Sequence, residues 1–205
     1  MDVAKPYTAI SPTIDTALLV ALAGSNEPRS GRELARRIER SRTGVQHVLD
    51  RLVEEGLVER NKAGQAFLYT FNYDHLLASA VQEMAAARIE LVRRLRELVG
   101  LWEVKPLHLS LFGSAARGDG DADSDVDLFL VRPTGTAEED EIWRLQVEHL
   151  AESVYRWTGN DAGIVELPEK KMPALRRRRL PVLRELDVDA IDIAGIPARR
   201  ILARK

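Results

Sequence analysis

The sequence contains no cysteine, and this absence excludes disulfide bonds and cysteine-ligated zinc sites. It also lacks any stretch that approaches the roughly 20 apolar residues that a membrane-spanning helix needs. The longest apolar run near the start, Ala17 to Ala23, is too short for such a span and has no basic leader, which argues against a secretory signal. We therefore expect a cytoplasmic protein.

The chain also has little net charge, −2 from 30 Lys+Arg and 32 Asp+Glu. A protein that coats nucleic acid is strongly basic, so any DNA affinity must come from a local basic surface. The 45% hydrophobic and 30% charged fractions are those of an ordinary globular protein. Its 205 residues suit two small domains, because the sequence changes character midway.

Residues 11–72 show a characteristic order of short elements. Helix-start signals, apolar periodicity and a turn at Ala63-Gly64 predict three helices followed by a β-hairpin. The helices begin near Ser11, Ser30 and Ser41, the third runs to about Glu55, and the strands are Leu57–Arg60 and Phe67–Phe71. This order resembles the winged helix-turn-helix of MarR- and ArsR-like regulators. The resemblance implies that residues 1–72 form a DNA-binding domain.

In a helix-turn-helix the second helix of the pair lies in the major groove of duplex DNA. Arginine and glutamine can bond base edges there, and arginine and lysine can bond phosphates. The residues predicted to contact DNA, on the third helix and on the wing, are Arg42, Thr43, Gln46, His47, Arg51, Arg60 and Lys62. The alternative is that this module mediates protein contacts or dimerises, and that its polar face is only solvated.

A long linker helix is predicted over residues 73–100, because no proline or glycine occurs between Tyr73 and Val99 and helix formers dominate. Its apolar residues recur at alternating intervals of four and three, as in a coiled-coil seam. They are Leu77, Val81, Met84, Leu91, Leu95 and Leu98. The seam favours a homodimer. The alternative is a helix that packs one apolar stripe against its own two domains.

The segment 107–131 carries the chemistry. Its first six residues alternate as a strand does and lead into Gly113-Ser114. After ten more residues come Asp125 and Asp127, separated by a valine and followed by an apolar strand. Because side chains alternate along a strand, both carboxylates point to the same face. Such a pair suits Mg²⁺ or Mn²⁺, which take oxygen ligands and bridge to substrate phosphates.

Three further residues of this segment suit a phosphate group. Gly113 lets the backbone approach without a Cβ in the way, and the Ser114 hydroxyl with the next amides can bond phosphate oxygens. Arg117 adds a fixed positive fork for the same charge. Together with Asp125 and Asp127, these residues would surround one triphosphate.

The string from residue 113 to residue 131 resembles the signature of the minimal nucleotidyltransferases, members of the DNA polymerase beta superfamily. It reads GSAARGDGDADSDVDLFLV. Gly-Ser, ten residues and Asp-x-Asp stand at the spacing of that family, and the resemblance covers roughly residues 100–195. It implies a transferase domain over residues 101–205 that uses an NTP, with ATP as first candidate, and Mg²⁺ or Mn²⁺ as cofactor.

The resemblance also implies a third carboxylate on a later strand. The strand candidate is Gly163–Leu167, which gives this role to Glu166, as a metal ligand or as the base toward the acceptor hydroxyl. The family usually has aspartate at this place, and Asp161, at the entry to the strand, is the alternative. Beyond it, the basic run Arg176–Arg179 is typical of a solvated helix end.

The expected fold is α+β, with a winged helix-turn-helix, a long linker helix and a small α/β nucleotidyltransferase domain that contains a mixed sheet. The expected reaction is transfer of a nucleoside monophosphate from an NTP to a protein or nucleic-acid acceptor, with two metals held by Asp125, Asp127 and Glu166. Two alternatives stay open: a transcription regulator that only senses nucleotide, and an antitoxin-like modifier of a partner toxin.

Overall fold

The computed structural model describes residues 1–119, 123–174 and 181–203. The chain divides into two compact units, Pro6–Arg88 and a second unit that joins Met1–Lys5 to Ile89–Lys205. The basic run predicted at residues 176–179 lies outside the described residues. No helix in the described part of the chain is long and apolar enough to cross a membrane.

The first unit contains three helices followed by a hairpin, in the order that the sequence predicts. Its elements are α1 (Ile14–Ala23), β1 (Arg29–Ser30), α2 (Gly31–Arg37), α3 (Arg42–Glu54), β2 (Val58–Ala63) and β3 (Ala66–Phe71). The capping box that predicts the start of α2 is present, because Ser30 and Glu33 bond each other's backbone amides. The short β1 adds to the hairpin and gives a sheet in the order β1–β3–β2, with both pairs antiparallel.

One apolar cluster holds the first unit together. In this cluster the buried stripe of α3 packs against α1, α2 and the inner side of the hairpin. Val45, Leu49 and Leu52 of the stripe are all at most 1% exposed. Full burial of such side chains contributes about 1.5–3 kcal/mol each before the conformational entropy is counted. The polar residues between them therefore lie on the outer face of α3.

The long helix, α4, spans Ala78–Gly100 and starts five residues later than predicted, because residues 73–77 form turns. It is not a separate linker, since the two units divide within it, between Arg88 and Ile89. Val81, Leu91 and Leu95 of the predicted seam are at most 5% exposed, each in the core of its own unit. The chain itself therefore covers most of the stripe on which the predicted dimer depended, as in the alternative reading of this helix.

The second unit is an α+β arrangement around a four-stranded mixed sheet. Its remaining elements are β4 (His108–Leu111), α5 (Gly113–Arg117), β5 (Val126–Arg132), α6 (Glu141–Thr158), β6 (Ala162–Pro168), α7 (Pro181–Asp189), β7 (Ile191–Gly195) and α8 (Ala198–Ala203). The strand order is β6–β5–β4–β7, with β5 and β6 parallel and the other pairs antiparallel. This is the mixed sheet that the resemblance implies.

Strand β5 is central and its two faces are both covered. Val126, Leu128 and Leu130 are fully buried in the cluster that contains residues of α4 and α6. Phe129 and Val131 are fully buried in a second cluster with residues of α7 and α8. The alternation places Asp127 on the same face as Phe129, at the edge of this second cluster.

A buried polar pair sits in β4. The Nδ1 of His108 lies 2.7 Å from the carbonyl oxygen of Ile196, and its Nε2 lies 2.9 Å from the Ser110 hydroxyl. A carbonyl can only accept, so the neutral ring carries its proton on Nδ1 and accepts at Nε2 from Ser110. Burial lowers the pKa of His108, against a smaller opposing effect of its bond to Ile196.

This lowered pKa predicts a loss of stability in mild acid. As the pH falls below the ordinary value of 6.5, the unfolded chain takes up a proton that the folded His108 resists. The free energy of unfolding has its full value above pH 6.5. Below that pH it should fall by up to about 1.4 kcal/mol per pH unit, until the pH reaches the pKa of His108 in the folded protein. Urea unfolding between pH 5 and 7 measures this. His108→Asn keeps a donor for Ile196 and should flatten the slope, and an equally steep slope in that variant would assign the effect to another group.

Candidate active site

The site lies where β4 ends and β5 begins. Asp125 directly precedes β5, and Asp127 is the second residue of that strand. The amide of Phe112, after β4, donates to the carbonyl oxygen of Asp127 at 3.0 Å, which fixes the two strand ends side by side. Gly113 follows Phe112 with a φ of 66°, a left-handed conformation that glycine adopts without strain. The structure thus brings Gly113, Asp125 and Asp127 together.

Two glycines enclose the carboxylate of Asp127. A Cβ on Gly113 would lie 2.5 Å from its Oδ2, and a Cβ on Gly163, the partner of Asp127 on β6, would lie 2.8 Å from its Oδ1. At either distance, a Cβ would force the carboxylate of Asp127 to move. The role of Gly163 was not predicted, although a glycine inside a strand pattern is a signal of close backbone approach.

The charges around Asp127 oppose its ionisation. Burial, followed by repulsion from Asp125 and Glu185, raises the pKa of Asp127, and Arg117 counteracts part of the shift. A half-buried acid among other carboxylates is stabilised when a cation lies among them. The electrostatics therefore fit a positively charged ligand at Asp125 and Asp127.

Arg117, predicted to bind phosphate, is held by acidic side chains. Its Nε donates to Asp119 at 3.0 Å, and one terminal nitrogen donates to Asp189 of α7 at 3.4 Å. The bond to Asp119 is the main cause of the raised pKa of Arg117. Ser114 is half-buried in the first turn of α5, and its carbonyl oxygen accepts from the Gly118 amide at 2.8 Å. Arg117 therefore neutralises neighbouring acids as the site stands.

Glu166 lies away from the acidic pair. It pairs with Leu130, whereas Asp127 pairs with Gly163, so Glu166 stands three residues, about 10 Å, further along the sheet. Alternation also turns it to the opposite face, where it accepts from the Trp143 indole at 3.0 Å and pairs with the buried Arg132 at 3.2 Å. The structure therefore corrects the assignment of Glu166 as the third carboxylate.

Asp161, the alternative, stands closer in register. Its carbonyl oxygen accepts from the Val126 amide at 2.9 Å, so Asp161 lies opposite Asp125. The side chain of Asp161 is exposed. The neighbouring Asn160 is buried and donates to the Ser124 carbonyl oxygen at 2.8 Å, which anchors the residue before Asp125. Among the described residues, however, no three acidic or histidine side chains form a group that could hold a metal ion.

Helix α7 brings two acids to the site that the analysis of the sequence missed. Glu185 acts on Asp127 electrostatically and Asp189 pairs with Arg117. The two acids are four residues apart and so share one face of α7. They lie about sixty positions beyond the motif, and no local pattern signals that they return to it.

The residues predicted to contact DNA all lie in the first unit, and the structure divides them into two groups. Gln46 donates to Asp50 and to the Tyr69 hydroxyl, both at 3.0 Å. Arg51 pairs with Asp15, and Arg60 pairs with Asp50 at 3.2 Å. These side chains are engaged within the unit. The others, Arg42, Thr43, His47 and Lys62, are exposed.

Comparison with known proteins agrees with the geometry of the second unit. Residues 89–172 match the family described as Nucleotidyltransferase domain, and residues 14–78 match the family HVO_A0114. A crystal structure from Sulfolobus solfataricus, provisionally described as a nucleotidyltransferase, is similar at 20% identity with a TM-score of 0.29, over 52% of this chain and 81% of that chain. No curated protein matches the sequence. The match over residues 89–172 of the second unit is thus to a nucleotidyltransferase domain, which indicates a transferase.

The crowded acids predict that Asp127 destabilises the metal-free protein. Because the folded pKa of Asp127 is raised, its ionised form opposes folding above that pKa, and protonation at lower pH removes the penalty. Asp127→Asn should therefore raise the Tm in EDTA at pH 7 to 8, and the gain should shrink as the pH falls toward 4. Asp125→Asn, at an exposed position, is the matched control with a smaller gain. A lower Tm for Asp127→Asn at pH 8 would contradict this account.

Proposed function

We propose that the second unit transfers a nucleoside monophosphate from an NTP, ATP first, to an acceptor hydroxyl. The acceptor oxygen would attack the α-phosphorus, the bond to the β-phosphate oxygen would break, and pyrophosphate would leave while the acceptor loses its proton. The observation that carries the proposal is the pair Asp125 and Asp127 at the start of β5, beside Gly113 and within the matched residues 89–172.

The acidic pair fits Mg²⁺ or Mn²⁺, because it offers only oxygen ligands and its charge repulsion calls for a cation. With Glu166 on the other face, Asp125 and Asp127 would be the protein ligands, and water and phosphate oxygens would complete the coordination. Such an ion, when bound, stabilises the charge on the transferred phosphoryl group. We retain Asp161 as the candidate acid on the acceptor side, in place of Glu166.

Arg117, Ser114 and the backbone at Gly113 would receive the β- and γ-phosphates. Arg117 would exchange Asp119 and Asp189 for phosphate oxygens, a stronger match for its planar fork. Its present partners keep the guanidinium oriented beside α5, so little conformational freedom is lost when phosphate arrives. This exchange would also release the carboxylate of Asp189 on α7.

The first unit would serve as a winged helix-turn-helix that binds duplex DNA. The order α1–β1–α2–α3–β2–β3, with a hairpin after the third helix, supports this interpretation. Exposed Thr43 and His47 near the start of α3 would be the residues nearest to the bases, with Arg42 beside the adjoining phosphates. The whole chain would then be a transferase that the first unit holds on duplex DNA.

A second candidate function is a regulator that senses nucleotide without turnover. It is favoured by one observation, that no three acidic side chains among the described residues form a group that could hold a metal ion. A pair of acids is enough to bind a metal–nucleotide complex, whereas the transfer also needs a group that removes the acceptor proton.

The two candidates differ in turnover. NTPs labelled at the α-phosphate, incubated with the protein, Mg²⁺ or Mn²⁺ and cell extract, should label an acceptor and release pyrophosphate. Asp125→Asn with Asp127→Asn should abolish both labelling and metal-dependent NTP binding. Asp161→Asn should reduce turnover by about 10²–10⁴ with little effect on binding, as expected for a lost general base.

Glu166→Gln is the matched control for this experiment, because it removes one carboxylate of β6 on the face of the sheet opposite to Asp127. It should keep wild-type turnover. Wild-type binding without turnover for any NTP would support the sensor. Unchanged binding in the double variant would remove the acidic pair from the site altogether.

A further inference from the structure

Five exposed arginines lie within eleven residues of the first unit, from the second residue of α2 to the first residue of α3. They form what we term the arginine cluster: Arg32, Arg36, Arg37, Arg40 and Arg42. The same eleven residues contain two acids, Glu33 and Glu39, so the segment has a net charge of +3 in a chain whose net charge is −2. This concentration of positive charge is local, as a binding surface requires in a protein of this composition.

The cluster is not neutralised within the protein. In the unbroken described range 1–119, none of its five arginines forms an ion pair, whereas Arg51 and Arg60 of the same unit pair with Asp15 and Asp50. Glu33 is committed to the capping box, where it accepts from the Ser30 amide at 2.8 Å. The guanidinium groups of the cluster are therefore available to an anionic partner.

The turn that carries the cluster has a fixed backbone. Glu39 has a φ of 54°, a left-handed conformation that a residue with a side chain adopts only when other interactions hold it there. Two hydrogen bonds hold it there, from the Arg40 amide to Ala35 at 3.0 Å and from the Glu39 amide to Arg36 at 3.4 Å. They form the Schellman motif that closes α2. The backbone of Arg40 and Arg42 is thus held in place before any partner binds.

We propose that the arginine cluster is the surface that docks on the phosphate backbone of duplex nucleic acid, without regard to base sequence. Guanidinium forks match phosphates bidentately, and a duplex presents a dense row of them. Two side chains expected to read bases support this division, because Gln46 and Arg51 bond within the unit. The inference rests on the DNA-binding part of the proposed function and is independent of the transfer reaction.

The salt dependence of binding measures the number of contacts between the protein and phosphates. Each neutralised phosphate adds about −0.9 to the slope of log K against log salt concentration, so five contacts predict a slope near −4.5. We would measure the affinity of the full-length protein for fluorescent duplexes of unrelated sequence from 50 to 300 mM salt. Arg36→Ala with Arg40→Ala should weaken binding equally on every duplex and reduce the slope by about 1.8.

The matched control is Arg144→Ala with Arg156→Ala, two exposed arginines of α6 outside the first unit, which changes the net charge by the same amount. It should leave the slope unchanged. An unchanged slope in the cluster variant, or an equal change in both variants, would overturn the proposal. Competition by polyglutamate as effective as by duplex, charge for charge, would overturn it too, since the surface would then bind acidic protein. NTP binding at Asp125 and Asp127 should be wild type in both variants, so failure here and failure of the transfer reaction are distinguishable.

Discussion

The close approach of two backbones to the carboxylate of Asp127 is the constraint on which the rest of the site depends. Gly113 and Gly163 approach its two oxygens so closely that a Cβ at either position would displace the carboxylate. This spacing requires β5 to lie between β4 and β6. It also requires Gly113, which follows β4, to adopt its left-handed conformation. The buried faces of β5 supply that placement, since Leu128, Leu130 and Phe129 anchor the strand from both sides.

The same constraint makes the site electrostatically costly. Asp127 is half-buried, and Asp125 and Glu185 add negative charge around it, while Arg117 partly opposes them. Asp119 and Asp189 compete for that arginine. The protein thus holds an excess of acid around one position, which is the arrangement that a divalent cation with bound phosphates would neutralise. The apolar clusters on both faces of the sheet supply the stability that this charge removes.

Local patterns predicted much of this arrangement, and long-range contacts account for what they missed. The alternation around the Gly-Ser and Asp-x-Asp residues predicted β4, β5 and their turn, because strand period and glycine conformation are local properties. Glu166 was misassigned because its face and its position along the sheet depend on the register of β6 against β5. The sequence of β6 does not encode this register by itself. The acids of α7, one of which pairs with Arg117, reach the site only because the chain folds back over many residues, and no local pattern signals this. The stripe of α4 predicted burial correctly, and its partners lie within the same chain, as in the alternative to a homodimer.

The most direct measurement of the central claim is the metal-dependent NTP affinity of Gly163→Ala, by calorimetry. The added Cβ would meet Asp127 Oδ1 and displace the carboxylate while changing no charge and no ligand. Gly100→Ala is the matched control, since its Cβ would meet nothing within 4 Å. The account predicts an affinity about 10–100-fold weaker for Gly163→Ala, the range found when the support of a ligand is disturbed, and wild-type affinity for the control. Wild-type affinity in a folded Gly163→Ala protein would contradict it.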